Sequence, residues 1–266
     1  MKTILKGVTP PILWQIARKL RHRKVAEGLY WTGDYPDWQT AVAASSGYDQ
    51  DAIFVKVRDA ARAVRDGRAL WERDSVLFYH EEYNVLLLAA LMSVAAWNKG
   101  RLRVLDFGGA LGSSYMQHRP FWGQLEEIRW NIVEQPHVAA CGREEFEDVT
   151  LRFWPSLEEC LAATAVDVVL FSSVLQYLEN PYGLLEQTLS SSPAGLFIDR
   201  TFFAPQGEKI TVQHVPEEIY KATYPCRWLD KSRVEAIIRR YFDGPITWFP
   251  SYGYPEEYRS CFVRNG

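Results

Sequence analysis

Apolar residues along this chain follow two rhythms. In the first they recur at every third and fourth place. Ile53, Phe54, Val57, Ala60, Ala61 and Val64 do so between about Asp51 and Asp66; Leu86, Leu87, Ala90, Leu91 and Val94 do so between about Glu82 and Trp97. This spacing predicts two helices, the second stopping near Gly100. From residue 103 the rhythm changes to short unbroken runs: Arg103–Phe107, Arg129–Glu134, Val149–Phe153, Val166–Phe171 and Gly195–Thr201. Continuous apolar runs imply strands buried on both faces, as in a parallel sheet. Helical stretches alternate with them, from Ser113 to about Phe121–Gly123, after a Ser156 cap through Leu157, Cys160 and Leu161, and from about Lys231 to Tyr241. Ile246–Phe249 and Ser260–Val263 fit a closing antiparallel pair. The pattern predicts a doubly wound, Rossmann-like α/β domain over 100–266, preceded by a mostly helical cap over 1–99.

The first strand breaks into glycines: Leu105-Asp106-Phe107-Gly108-Gly109-Ala110-Leu111-Gly112-Ser113-Ser114. A strand, a tight glycine turn and a helix start with Ser113-Ser114 as its cap make the ligand-binding corner of such a sheet. At Gly108 and Gly112 a Cβ would hold a ligand off the backbone. Ala110 is tolerable there if its φ stays negative. A dinucleotide fingerprint started at Gly108 needs glycine at 113, which is serine, and a P-loop needs a lysine where none lies between Lys99 and Lys209. What remains is D-x-G-x-A-x-G. The second strand ends in Glu134, 22 residues past Gly112, where an acid accepts hydrogen bonds from ribose hydroxyls.

Charge changes the picture at one end. The net charge of −3 argues against a nucleic-acid binder, yet seven of the 30 basic residues precede the first acid, Glu27. Pro10-Pro11 start a helix with Ile12, Leu13, Ile16, Ala17 and Leu20 on one face. Such a basic amphipathic helix lies on an anionic membrane or packs on the domain with its basic side in water. No run is long enough to span a membrane and no secretory signal is evident; Cys141, Cys160, Cys226 and Cys261 are scattered, as in a reduced, cytoplasmic protein. Contact with the inner membrane face is the alternative that the N-terminal helix leaves open.

Candidate chemistry lies at strand ends and in aromatic loops. Asp199 and Arg200 close the fifth strand and read either as active-site residues or as an internal ion pair. The segment Gly28–Trp38, with Tyr30, Trp31, Asp34 and Tyr35, reads as a rigid loop that stacks on a sugar ring or is pinned by its own aromatics. Residues 207–228, with His214, Tyr220 and Tyr224, are expected to overhang the carboxyl end of the sheet. Asp199, His214 and His80 are the candidates for a catalytic base. No histidine pair has metal-ligand spacing, so no metal is expected.

The stretch 106–112 resembles the first motif of the class I S-adenosylmethionine (SAM) dependent methyltransferases, with Ala110 in place of the usual middle glycine. Val166–Pro181 resembles the fourth, with Gln176 where many members carry histidine. Residues 103–264 as a whole are similar to such a domain. The match is closer still to bacterial methyltransferases associated with cell-surface polysaccharide (O-antigen) gene clusters. Pro10-Pro11, Gly33-Asp34-Tyr35-x-x-Trp38, Gly47-Tyr48-Asp49, Leu105-Asp106-Phe107-Gly108-Gly109, Val133-Glu134-Gln135, Ile198-Asp199-Arg200 and Tyr220-x-x-x-Tyr224-Pro225 carry it.

The resemblance implies a seven-stranded sheet whose last strand is antiparallel. It also implies a SAM site built from Asp106, Phe107, Gly108, Gly109, Ala110, Gly112, Glu134, Gln135, Ser172, Ser173 and Gln176. The function implied is O-methylation of a saccharide or lipid-linked saccharide, with Tyr30, Trp31, Asp34, Tyr35, Arg200, Tyr220 and Tyr224 on the acceptor side. A nicotinamide-dependent reductase or epimerase, and a silent methyltransferase fold serving as a binding partner, are the alternatives. The reductase lacks both the third dinucleotide glycine and any Y-x-x-x-K pair.

Overall fold

A computed structural model of the protein describes residues 30–46, 50–215, 222–250 and 258–265. The basic N-terminal helix, Gly28, Gly47-Tyr48-Asp49 and Tyr220 lie outside the described residues. In chain order the elements begin with β1 (Tyr30–Thr32), α1 (Trp38–Ala43), α2 (Gln50–Arg65), β2 (Trp71–Arg73), β3 (Val76–Phe78) and α3 (Val85–Trp97). The glycine-turn half follows: β4 (Arg101–Phe107), α4 (Ser113–Gln117), α5 (Arg119–Trp122), β5 (Glu127–Val133), α6 (Pro136–Glu145), β6 (Leu151–Trp154) and α7 (Leu157–Ala163). Then come β7 (Val168–Ser172), a 3-10 turn (Leu175–Tyr177), α8 (Pro181–Leu189) and β8 (Gly195–Phe202). The chain closes with β9 (Lys209–Val215), β10 (Ala222–Trp228), α9 (Lys231–Ile238), β11 (Thr247–Pro250) and β12 (Tyr258–Arg264).

Seven of these strands form one sheet in the order β11-β12-β8-β7-β4-β5-β6. β4, β5, β6, β7 and β8 run parallel to one another, while β12 is antiparallel to both β8 and β11. This is the doubly wound, methyltransferase-like sheet that the resemblance implied. Strand order reverses between β4 and β7, and in open α/β sheets such a switch point opens a crevice at the strands' carboxyl ends.

The unbroken apolar runs follow from burial on both faces. Leu102, Val104, Val168 and Leu170 join one core with Leu87, Leu91 and Trp122, whereas Leu105, Val169 and Phe171 join the other with Leu157, Leu185 and Val234. Each fully buried side chain of this size contributes about 1.5–3 kcal/mol.

Several elements depart from expectation. The third strand starts at Leu151 rather than Val149, because the Asp148 carboxylate accepts the Thr150 and Leu151 N–H groups at 2.7 and 2.8 Å and holds a turn there. The helix from Ser113 breaks at His118, since Pro120 has no N–H with which to continue it. Leu86, assigned to a buried stripe, is 47% exposed. The described part of the cap carries strands as well as helices. Tyr30–Thr32 is not a loop but a strand, antiparallel to β9 in a small sheet β1-β9-β10. Trp71–Arg73 and Val76–Phe78 form a hairpin.

Packing is tightest where α6 crosses β6. A Cβ on Gly142 would lie 2.3 Å from the Phe153 ring. Alanine there gains about 1 kcal/mol of helix propensity but overpacks a filled core at a cost of about 1–3 kcal/mol, and backbone must shift. Gly142→Ala is therefore expected to lower the denaturation midpoint, with a net loss of up to about 2 kcal/mol in urea titration; a midpoint above wild type contradicts this account.

Candidate cofactor cleft

A cleft of about 140 Å³, open to solvent at its mouth, lies at the switch point. Its floor is the glycine turn: Asp106, Gly108, Gly109 and Ala110 from the end of β4, and Ser113 and Ser114 of α4. Ser172 and Ser173 after β7, and Asp199 and Arg200 on β8, form one wall. The opposite wall comes from upstream, as Val57, Glu72, Arg73, Asp74, Asn84 and Leu87.

The turn is built around a buried acid. Asp106 is 1% exposed and accepts a hydrogen bond from the Trp130 indole N–H at 3.0 Å. A Cβ on Gly109 would sit 2.7 Å from that carboxyl, so this glycine makes room for Asp106. Gly108, at φ +71°, would drive a Cβ to within 2.6 Å of Val174, and Gly112, at φ +98°, would bring one to 3.3 Å from Leu151. Neighbouring side chains and left-handed backbone explain these two glycines, in place of the ligand clearance expected for them. Ala110 has φ +51°, not the negative φ expected of an alanine; the position is left-handed, as its usual glycine would permit. Gly112, not a serine, is the N-cap of α4, and the Ser113 hydroxyl donates to Glu72 instead.

Among the described non-glycine residues seven have positive φ, and four of them (Asp74, Ala110, Ser173 and Arg200) line this cleft. Strained backbone gathered in one place is the mark of a site held in shape by its surroundings.

The electrostatics are dominated by buried carboxyls. Burial pushes Glu72 up to about 7, against the Ser113 and Ser75 hydrogen bonds that pull it down. Burial likewise pushes Asp106 up to about 7, against the Trp130 bond, with Glu134 adding to the rise. Glu134 is raised for the same reason, although its Oε1 accepts the Ala110 N–H at 3.2 Å and its Oε2 the Gln135 N–H at 2.9 Å. Asp199 is held differently. Its Oδ1 accepts from Ser260 at 2.7 Å and its Oδ2 from Asn84 at 3.1 Å and Ser172 at 3.2 Å, with Arg200 Nε 3.5 Å away.

The cleft thus brings together Asp106, Gly108, Gly109, Ala110, Ser172, Ser173, Asp199 and Arg200 of the residues singled out from sequence. Phe107 packs on the opposite core near Phe171, and Gln135 is the exposed N-cap of α6. Gln176 is buried behind the wall, donating to Ser173 Oγ at 3.2 Å and the Arg200 carbonyl at 3.1 Å.

The other candidates sit elsewhere. His214 on β9 stacks on Tyr30 with ring centroids 4.4 Å apart and meets Thr32 Oγ1 at 2.8 Å. Trp31 and Tyr177 donate to Gln213 Oε1, and Gln213 donates to Tyr224 Oη, all at 3.1–3.2 Å. Tyr35 packs with Ala41 and Ile210, and Asp34 is exposed. His80 follows the β2–β3 hairpin, 3.3 Å from Glu82. Sequence reasoning missed Glu72, Arg73 and Asn84. The first two lie in a three-residue strand with no period to read. Asn84 was legible as an N-cap, accepting the Leu87 N–H at 3.1 Å. Among the described residues no cluster of His, Cys, Asp or Glu is placed to hold a metal, and no helix is long and apolar enough to cross a membrane.

No family model matches the chain, and no curated protein matches it in sequence. Solved structures do. The chain is similar to the N-terminal domain of EvdMO1, crystallised in the presence of SAH and D-fucose, at 16% identity and a TM-score of 0.48, over 83% of this chain and 98% of that one. It is similar to CalS10, an amino pentose methyltransferase from Micromonospora echinaspora with SAM bound, at 10% identity and 0.47, over 77% and 96%. It is also similar to the 1,6-didemethyltoxoflavin-N1-methyltransferase of Burkholderia thailandensis, at 16% identity and 0.43, over 81% and 89%. Likeness at this level carries no residue-by-residue correspondence.

The raised carboxyls give a pH signature with a definite sign. Asp106 lies at about 7 in the folded chain against an ordinary 3.8, so between those values the folded chain holds a proton that the unfolded chain has lost. Stability contributed by this group is full below the lower value and falls as pH rises toward the upper one, by at most about 1.4 kcal/mol per pH unit. Asp106→Asn is expected to lose less stability than wild type between about pH 5 and about pH 7 in denaturant titrations. Identical losses in the two proteins refute the assignment.

Proposed function

We propose that the chain is a SAM-dependent methyltransferase, with residues 100–266 as its catalytic domain and residues 1–99 as a cap. One observation supports this above others: a glycine-turned cleft at the switch point that gathers the buried carboxyls Glu72 and Asp106, both raised to about 7 by burial, with Asp199 on its wall. Buried charge is tolerated when it is paired. The sulfonium of SAM is a permanent cation, and its arrival favours ionisation of carboxyls held near neutrality.

In this reading Gly108, Gly109 and Ala110 lie under the methionine and ribose portions. Each Glu134 oxygen accepts one backbone N–H and keeps a lone pair for a ribose hydroxyl. Asp106, Phe107, Gly112, Gln135 and Gln176 shape the corner, and Ser172 and Ser173 border the methyl group. Asp199 is held in place by Ser260, Asn84 and Ser172, with Arg200 beside it. Methyl transfer needs the acceptor atom in line with the S–CH3 bond, and positioning supplies much of the rate.

The acceptor is a hydroxyl of a saccharide or lipid-linked saccharide. The aromatic groups of Tyr30, Trp31, Tyr177 and Tyr224 on and beside the small sheet suit the apolar face of a sugar ring. His214, between Tyr30 and Thr32, is the one histidine on that surface among the described residues and is the base we assign to the acceptor side.

Titration of the purified protein with SAM, S-adenosylhomocysteine (SAH), NAD and NADP tests this reading. SAM and SAH are expected to bind; tight NADP binding with no response to SAM overturns it. Glu134→Ala is expected to weaken SAH by about 1–3 kcal/mol through loss of a charged hydrogen bond, and unchanged affinity removes the ribose assignment.

A further inference from the structure

The β2–β3 hairpin supplies part of the upstream wall of the cleft. Its strand places Glu72 and Arg73 side by side on the cleft, and its two-residue turn, Asp74-Ser75, is left-handed at both positions. The hairpin is fastened to the glycine corner. Glu72 Oε1 accepts the Ser113 hydroxyl, Glu72 Oε2 accepts the Ser75 N–H at 3.2 Å, and Arg73 Nη2 donates to Gln117 Oε1 at 3.2 Å.

Glu72 is 4% exposed and has no cationic hydrogen-bond partner among the described residues. The Arg73 guanidinium lies over the Trp71 ring, 5.0 Å from its centroid, and forms no ion pair among the described residues. One acid and one cation, adjacent and anchored by neutral partners, face a single cavity. The ligand chemistry that matches them is a zwitterion.

We infer that Glu72 and Arg73 clamp the amino-acid end of the cofactor, the Glu72 carboxylate receiving its α-ammonium and the Arg73 guanidinium its α-carboxylate. This rests on the SAM reading above. It assigns a binding role to a segment some 30 residues ahead of the glycine turn. An arginine stacked on an indole retains free N–H donors on its outer edge, and guanidinium–carboxylate pairs are among the stronger charge-assisted contacts. Ser113 and Gln117, which hold the two side chains from α4, act as positioning residues.

The test compares SAH with 5′-methylthioadenosine, which keeps the adenosine and the thioether but lacks the amino-acid end. Dissociation constants are measured by calorimetry for wild type, Glu72→Gln, Arg73→Met and Arg73→Lys. Glu72→Gln and Arg73→Met are expected to weaken SAH about tenfold or more while methylthioadenosine changes by less than about twofold, and Arg73→Lys is expected to recover part of the loss. Undiminished SAH affinity in both variants overturns the clamp, and so does an equal loss for both ligands, which marks a purely structural hairpin. Wild-type protein that binds neither ligand overturns the SAM reading itself, and the clamp falls with it. Wild-type binding of both with equal affinity overturns the clamp alone.

Discussion

The corner of this molecule is governed by the cost of placing carboxyl groups where water does not reach. Asp106 ends the central strand fully inside the fold, with one indole N–H as its hydrogen-bond donor. An isolated ionised carboxylate at that depth is costly, and the group answers by holding its proton into the neutral range. Much of the local design follows. Gly109 has no side chain because the carboxyl occupies its space. Ala110 accepts a left-handed backbone at a cost of about 1–2 kcal/mol, and that geometry presents its N–H to Glu134.

The second consequence is that the cleft is assembled from distant parts of the chain. Asn84 spends its carbonyl oxygen on capping α3 and its amide nitrogen on Asp199, so one side chain joins the cap to the sheet. Ser260, on the antiparallel strand β12, reaches the other oxygen of the same aspartate. His118, fully buried, receives the Asn84 N–H at 3.0 Å on Nε2 while Nδ1 meets the Ser114 carbonyl at 2.8 Å, and burial holds its affinity for a proton below the ordinary value. A neutral imidazole is what this bridge requires, since one ring nitrogen must accept while the other donates.

What was legible in the sequence follows the same physics. The parallel strands could be read because burial on both faces leaves no place for polar alternation, and β4, β7 and β8 stand close to where their apolar runs lie. The glycine turn was legible as a corner, though the reasons for its glycines were not: the crowding at Gly108 and Gly109 comes from Val174 and Asp106, which only the folded turn brings near. β1 was hidden because its partner is 182 residues away, as the Trp31–Gln213 contact shows. The β2–β3 hairpin was hidden because three-residue strands carry no usable period and Asp74-Ser75 supplies no glycine to announce a turn with two left-handed residues.

One short piece of chain connects the switch-point cleft with the aromatic sheet. Val174 fills the space that Gly108 vacates. Two residues on, Gln176 holds Ser173 and the Arg200 carbonyl, and Tyr177 turns the other way to reach Gln213 between Trp31 and Tyr224. Successive residues of a single 3-10 turn therefore support both surfaces. Reactions limited by alignment are sensitive to displacements of about 1 Å, and a spacing fixed by covalent neighbours varies less than one set by two independently packed elements. The cleft at the glycine corner and the small aromatic sheet therefore share that turn as a common ruler, with Gln176 fully buried between the groups it holds.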